Sequence, residues 1–168
     1  MKKIVLVAAA VMAFGFANAQ EQTKKGKWLI EANTNFGATT VGNTSFQLSS
    51  SDGDTQWNLG AEGGYFVADN LAVKAGLGYG DYVGSTIFSY KLGAKYYLLN
   101  KFPLEASFTG ASVEDRNENP SYFGLQGGYA LFLGPNVSIE PGLRYNISLN
   151  NDFYDDVFQF NIGFALHF

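Results

Sequence analysis

The sequence predicts an all-β chain: an eight-stranded antiparallel up-and-down transmembrane β-barrel behind a cleaved signal peptide. Three observations carry that expectation. From Lys27 onward, apolar and polar residues alternate with period two. Charged residues are only 15% of the 168, while aromatics reach 16% and glycines number 20, whereas soluble domains are roughly a quarter charged. The connections between alternating segments switch between short and long. The length fits one domain.

The first residues set the compartment. Lys2 and Lys3 form a positive n-region, Ile4 to Phe16 a short apolar stretch, and Ala17-Asn18-Ala19 a small-residue cleavage site with Gln20 as the mature start. Residues 1–19 are thus expected to be a signal peptide, 20–26 a short periplasmic segment, and 27–168 the barrel. The apolar stretch is short for a helical span, which takes about 20 apolar residues. With no cysteine in the chain, lipoprotein anchoring, disulfides, thiol nucleophiles and thiolate metal sites are excluded. Removing Lys2 and Lys3 from the 11 basic residues leaves 9 against 15 acidic ones, so nucleic-acid binding, which needs clustered Lys and Arg, is disfavoured.

Each strand follows from its alternation. The first sets Trp28, Ile30, Ala32, Thr34 and Phe36 against Leu29, Glu31, Asn33 and Asn35. The second sets Trp57, Leu59, Ala61, Gly63, Tyr65 and Val67 against Gln56, Asn58, Gly60, Glu62 and Gly64. The third runs from Leu71 to Gly80, with Lys74 on its polar row, and the fourth from Phe88 to Leu98, with Lys91, Lys95 and Tyr97 on that row. The fifth runs from Leu104 to Thr109 and carries Glu105. The sixth runs from Tyr122 to Leu131. The seventh runs from Val137 to Ile147 and carries Glu140 and Arg144. The eighth sets Phe158, Phe160, Ile162, Phe164, Leu166 and Phe168 against Gln159, Asn161, Gly163, Ala165 and His167. Ala68-Asp69-Asn70, the Asn100-Lys101 region and Gly134-Pro135-Asn136 read as tight turns. Gly37–Asp54, Asp81–Thr86, Glu114–Pro120 and Asn150–Asp156 read as longer or strongly polar loops. Pro141 lacks an amide for the ladder, so a bulge or a missing hydrogen bond is expected there.

Alternation alone does not say which row faces inward. A soluble lipocalin-like barrel would bury the apolar row, and Gly26-Lys27-Trp28 resembles the lipocalin Gly-x-Trp signature. The apolar row, however, holds too much Phe and Tyr for an eight-stranded interior, which side chains just fill. The other row is rich in Gly, Ala and Ser, and its charges balance: Glu31, Glu62, Glu105 and Glu140 against Lys74, Lys91, Lys95 and Arg144. Pairing is what a confined interior requires. No charged residue falls on the apolar row, where Lys or Arg at mid-depth would cost about 2–4 kcal/mol. The polar row should therefore form an interior network, and the last strand should pair with the first. Trp28, Trp57, Tyr79, Tyr145 and Phe168 lie near strand ends and suit aromatic girdles.

The last strand, Phe158-x-Phe160-x-Ile162-x-Phe164-x-Leu166-x-Phe168, resembles the C-terminal signature of outer-membrane barrels. With the signal peptide and the strand count, the mature chain resembles the small outer-membrane β-barrel family, the porin-like β-barrel domain of OmpA/OmpX type. That resemblance implies an outer-membrane protein with both termini periplasmic, surrounded by lipid and lipopolysaccharide. It also implies delivery to the barrel-assembly machinery, which reads the terminal signature. It supplies no function, because small barrels host many.

No residue set reads as catalytic, metal-binding or cofactor-binding, so no enzyme activity and no cofactor are expected. His167, the only histidine, is expected as an interior or interfacial polar side chain at the periplasmic rim, far from any external-loop serine such as Ser49-Ser50-Ser51. Asp52, Asp54, Asp81, Glu114, Asp115, Glu118, Asp152, Asp155 and Asp156 make the loops acidic, opposed only by Arg116, without the Asp-x-Asp-x-Asp-Gly spacing of a calcium loop. The expectation is a monomeric, non-enzymatic structural or surface-interaction barrel whose surface partner the sequence does not name. The alternatives are a small porin and the soluble lipocalin-like barrel.

Overall fold

The computed structural model of the chain describes residues 19–37, 44–51, 54–82, 84–114 and 118–168. The expected signal segment up to Asn18 and the loop residues Asp52, Asp115 and Arg116 lie outside the described residues. A single helical turn, α1 (Ala19–Gln22), precedes ten strands: β1 (Trp28–Gly37), β2 (Gln47–Ser51), β3 (Asp54–Ala68), β4 (Leu71–Tyr82), β5 (Ser85–Leu98), β6 (Phe102–Val113), β7 (Ser121–Gly128), β8 (Leu131–Phe132), β9 (Val137–Ser148) and β10 (Val157–His167). All pairings between strands are antiparallel, and eight staves close into a barrel: β1, β10, β9, β7 with its continuation β8, β6, β5, β4 and β3, which returns to β1.

The closing ladder is the expected one. β10 runs along β1 from Leu29 opposite His167 to Gly37 opposite Gln159. Where the ladder is continuous, closure gives the wall's backbone amides partners in their neighbours and leaves no free edge. The second seam is shorter. β1 meets β3 only from Trp28 opposite Tyr65 to Glu31 opposite Glu62. Beyond that point β2 lies against β3, from Gln47 opposite Asn58 to Ser51 opposite Asp54. The stretch read as one loop from Gly37 to Asp54 thus contains a strand.

Two other boundaries differ from the sequence reading. Asp81–Thr86 is not a long loop: β4 continues to Tyr82, which pairs with Ser85 across a two-residue turn. β6 spans Phe102–Val113 rather than Leu104–Thr109. At the loop end the extended staves carry a small buried apolar cluster of Ile87, Ala111 and Val113 on their inner face.

The turns at the opposite end are tight. Leu99 and Asn100 take φ of 53° and 58°, and Asn70 takes 65°, the left-handed geometry that two-residue hairpins need and that Asn tolerates. At Pro141 the ladder breaks without slipping. Gly128 faces Gly142 and Leu131 faces Ile139, so the register is the same on both sides of the interruption. Tyr129 N–H still donates to the Pro141 carbonyl at 3.0 Å, while the return bond is missing because proline has no N–H.

Burial follows side-chain parity. In β5 the burial alternates from Ile87 to Leu98, with Ser89, Lys91, Lys95 and Tyr97 inside and Phe88, Tyr90, Leu92 and Tyr96 outside. In β10, Gln159, Asn161, Gly163, Ala165 and His167 point inward. Phe158, Phe160, Phe164, Leu166 and Phe168 are exposed on the outer face, with Ile162 half-buried among them. Rings pair near both ends of that face: Trp28 with Tyr65 at 5.0 Å and Phe102 with Tyr129 at 5.4 Å toward the tight turns, Trp57 with Tyr79 and Phe36 with Phe160 at 6.1 Å toward the loops.

Candidate functional site in the barrel lumen

The inward-facing side chains form three layers along the lumen, besides a small apolar cluster of Ile87, Ala111 and Val113 at the loop end of β5 and β6. The layer at the tight-turn end is apolar. Leu29, Phe66, Ala72, Tyr97, Ala130, Phe132 and Ala165 make one buried cluster. His167 sits among them, 5.5 Å from Phe132 and 6.4 Å from Phe66 between ring centroids. Of the interior and interfacial positions expected for it at this end, His167 takes the interior one. It is 1% exposed, because the chain before β1 folds across the mouth beneath it. Gln22 and Thr23 are buried there. Thr23 O accepts from Asn70 N–H at 2.7 Å, and Gly26 N–H donates to Phe66 O at 2.9 Å.

The middle layer is charged. Lys74 Nζ touches Glu31 and lies 2.7 Å from both Glu62 and Glu105. Lys91 lies 2.8 Å from Glu62 and from Glu105. Lys95 bridges Glu31 and Glu140. Arg144 pairs with Glu105 at 3.1 Å and donates to Ser107 and Asn146 at 2.8 and 2.7 Å. Those are the eight residues singled out by the sequence, and the fold brings all of them into one connected set. Side-chain exposure is 8% or less throughout. Four carboxylates meet four cations, so the layer is neutral, which is the condition for burying charge at tolerable cost. Gly124 makes room for the guanidinium: a Cβ there would lie 2.0 Å from an Arg144 nitrogen.

Two arrangements in this layer invite a chemical reading. Carboxylate oxygens of Glu31, Glu62 and Glu105 lie within 4.8 Å of one another, which is metal-ligand spacing. The Lys74 ammonium contacts all three, so the protein supplies its own cation. Ser138, His167 and Glu140 also meet, but in the wrong order for a nucleophile. Ser138 donates its hydroxyl proton to Glu140 at 2.8 Å, so it accepts from His167 Nε2 at 3.0 Å and is not activated by it. Tyr97 OH donates to the same carboxylate oxygen at 2.9 Å.

The layer at the loop end is a small vestibule of about 20 Å³ over Lys91 and Arg144, lined by six carboxamides: Asn33, Asn35, Gln126, Asn146, Gln159 and Asn161. Thr44 and Ser45 cover it from the loop between β1 and β2. They are 2% and 6% exposed, and Thr44 Oγ1 donates to Glu62 at 2.7 Å.

Sequence reasoning missed the aromatic base and the loop segment in the lumen. The base left a signal. Alternation fails at the turn end of several staves, where three apolar residues run together: Trp28-Leu29-Ile30, Tyr65-Phe66-Val67, Tyr96-Tyr97-Leu98 and Leu131-Phe132-Leu133. The middle residue of each run faces inward.

An apolar outer face around a neutralised ionic interior reverses the layout of a soluble barrel and defines the fold of a transmembrane β-barrel. The comparisons agree. The chain is similar to the N-terminal β-barrel domain of Pseudomonas aeruginosa OprF, with a TM-score of 0.58 and 14% identity over 86% of this chain and 98% of that one. It is also similar to a de novo designed transmembrane β-barrel, with a TM-score of 0.51 and 14% identity over 88% and 99% of the two chains. The chain thus has the fold of the small outer-membrane barrels. No family model matches the sequence, and no curated protein matches it.

Proposed function

We propose that the protein is an integral barrel of the bacterial outer membrane, non-enzymatic, whose lumen is a structural plug and whose loops meet the cell's surroundings. One observation carries this reading: the belt of exposed Leu59, Val73, Leu77, Leu92, Leu143 and Phe164 encircles a lumen whose four carboxylates and four cations are paired within the wall. In water that belt would be an aggregation surface; in lipid it is the favoured face. The tight turns, the start of β1 and the end of β10 lie at one end of the barrel, which supports periplasmic termini after removal of residues 1–19. The strand from Phe158 to Phe168 is then the segment offered to the barrel-assembly machinery, with lipid and lipopolysaccharide as the barrel's surroundings. The paired interior supports the structural role over the small porin, and the outward aromatic row opposes the soluble lipocalin-like barrel.

Carbonate extraction of cells and electrophoresis without boiling test the placement. The protein should stay with the membrane pellet and migrate differently unheated than boiled. A protein released into the soluble fraction, with no mobility shift, would overturn the reading.

A further inference from the structure

We propose that the vestibule above the charged layer is a binding site for a small hydroxyl-bearing solute, covered by the strap Thr44–Phe46. This goes beyond the structural role. The charged layer closes the lumen below, so the site binds without passing its ligand onward.

The chemistry of the lining selects the class. Six carboxamides face a space that no carboxylate lines. Asn146 is engaged by Arg144 and Gln159, and Gln126 by Arg144, but the acceptors Asn35 Oδ1 and Asn161 Oδ1 have no partner, and a hydroxyl supplies the donor they need. Lys91 and Arg144 beneath are already paired with Glu62 and Glu105, so the floor holds no spare charge for an ionic ligand. An apolar ligand would strand the amides without partners, which is costly. Asn161 supplies the second observation. It is 2% exposed and lines the vestibule, yet its Oδ1 has no hydrogen-bond partner. A hydroxyl donating to that oxygen would remove the deficit. With the strap down, about 20 Å³ admits one water-sized group, since such a group takes roughly 10–15 Å³ on this measure. A larger solute enters when the strap lifts.

The strap lies in a fitted slot. A Cβ on Gly60 would fall 2.3 Å from the Thr44 carbonyl carbon, so only glycine lets the strap pass. Asn58 Nδ2 donates to Ser45 O at 2.6 Å, and Phe46 N–H donates to Asn33 O at 2.7 Å. These bonds tie the strap to β3 and β1 at the seam where β1 and β3 part.

The chain has no cysteine, so single thiols report access cleanly. Thr109→Cys places a thiol in the vestibule, and Asn151→Cys places a control thiol on the surface. The refolded barrel is treated with 2-hydroxyethyl methanethiosulfonate, and its fold is checked by mobility without boiling. Adding Gly60→Val to Thr109→Cys should raise the modification rate about tenfold or more, the scale of losing a buried polar tie. Glycerol should then slow modification of the vestibule thiol several-fold but leave the surface control unchanged, and Asn161→Leu should abolish that protection. If Gly60→Val does not fold, Thr44→Ala with Asn58→Ala opens the strap instead. A folded, opened barrel whose vestibule thiol reacts no faster would overturn the strap. Faster reaction without glycerol protection would overturn the site.

Discussion

The two ends of the lumen are closed in different ways. At the tight-turn end, Phe66, Tyr97, Phe132 and His167 belong to the staves themselves and interlock as rings. At the loop end, Thr44 and Ser45 arrive from a connecting segment and are held by a few hydrogen bonds. The first closure can open only if the wall comes apart, whereas the second can open while the wall stands. The neutral charged layer between them belongs to the wall as well, since every one of its members is a stave residue. A loop closure of low local stability can therefore move without global unfolding.

Substitutions should rank by that distinction. Lys74→Met removes the cation shared by Glu31, Glu62 and Glu105 and leaves four buried carboxylates to three cations, and breaking a buried ion pair costs about 3–5 kcal/mol. The urea midpoint of refolding into detergent micelles should fall accordingly. Adding Glu105→Gln should recover part of the loss in a double-mutant cycle, because the two groups are in contact; strictly additive losses would deny that the layer acts as a unit. Phe66→Ala in the aromatic base should cost about 3 kcal/mol through the cavity it leaves, read from the same midpoint. Asn58→Ala, which cuts one tie of the strap, should cost only about 1 kcal/mol and should raise amide exchange at Phe46 before it changes the midpoint. If Asn58→Ala lowered the midpoint as far as Phe66→Ala does, the two closures would not differ in kind.

The smallest effect belongs to the loops. Asp156 accepts from Ser148 N–H and from Tyr145 OH, each at 2.8 Å, and these bonds, the backbone one first, hold its carboxyl below the ordinary carboxylate range. A depressed value means that the tie contributes above the unfolded-state pKa and is lost as pH falls through the folded-state value. Acid titration followed at the Ser148 amide should show that local release while the global midpoint stays unchanged. A Ser148 amide unaffected by acid would deny the tie.

Much of this arrangement was legible in the sequence, and the parts that were not have physical reasons. Period two fixed the facing of Glu31, Lys74, Lys95 and Arg144, because one residue of slip would put every charge into lipid. Phe66 and Phe132 were assigned to neither row, although the same alternation carried past Gly64 and Ala130 turns both inward, where they are buried. His167 was placed at the right end of the barrel as an interior or interfacial side chain, but nothing in the spacing says that Gln22 and Thr23 are buried there with it. The strap was invisible because Thr44-Ser45 has loop composition. Only Gly60, a glycine on the inward row beside Glu62, hints that another backbone passes there.

The central claim is that the wall's own side chains close the lumen, and conductance of the refolded protein across a planar lipid bilayer tests it most directly. The barrel should insert without reproducible current steps, both as the native chain and as the strap-opened Gly60→Val variant, because the charged layer and aromatic base remain in place. Reproducible steps in the native protein, altered by substitutions at Glu140 or Arg144, would contradict it and make the barrel a small porin.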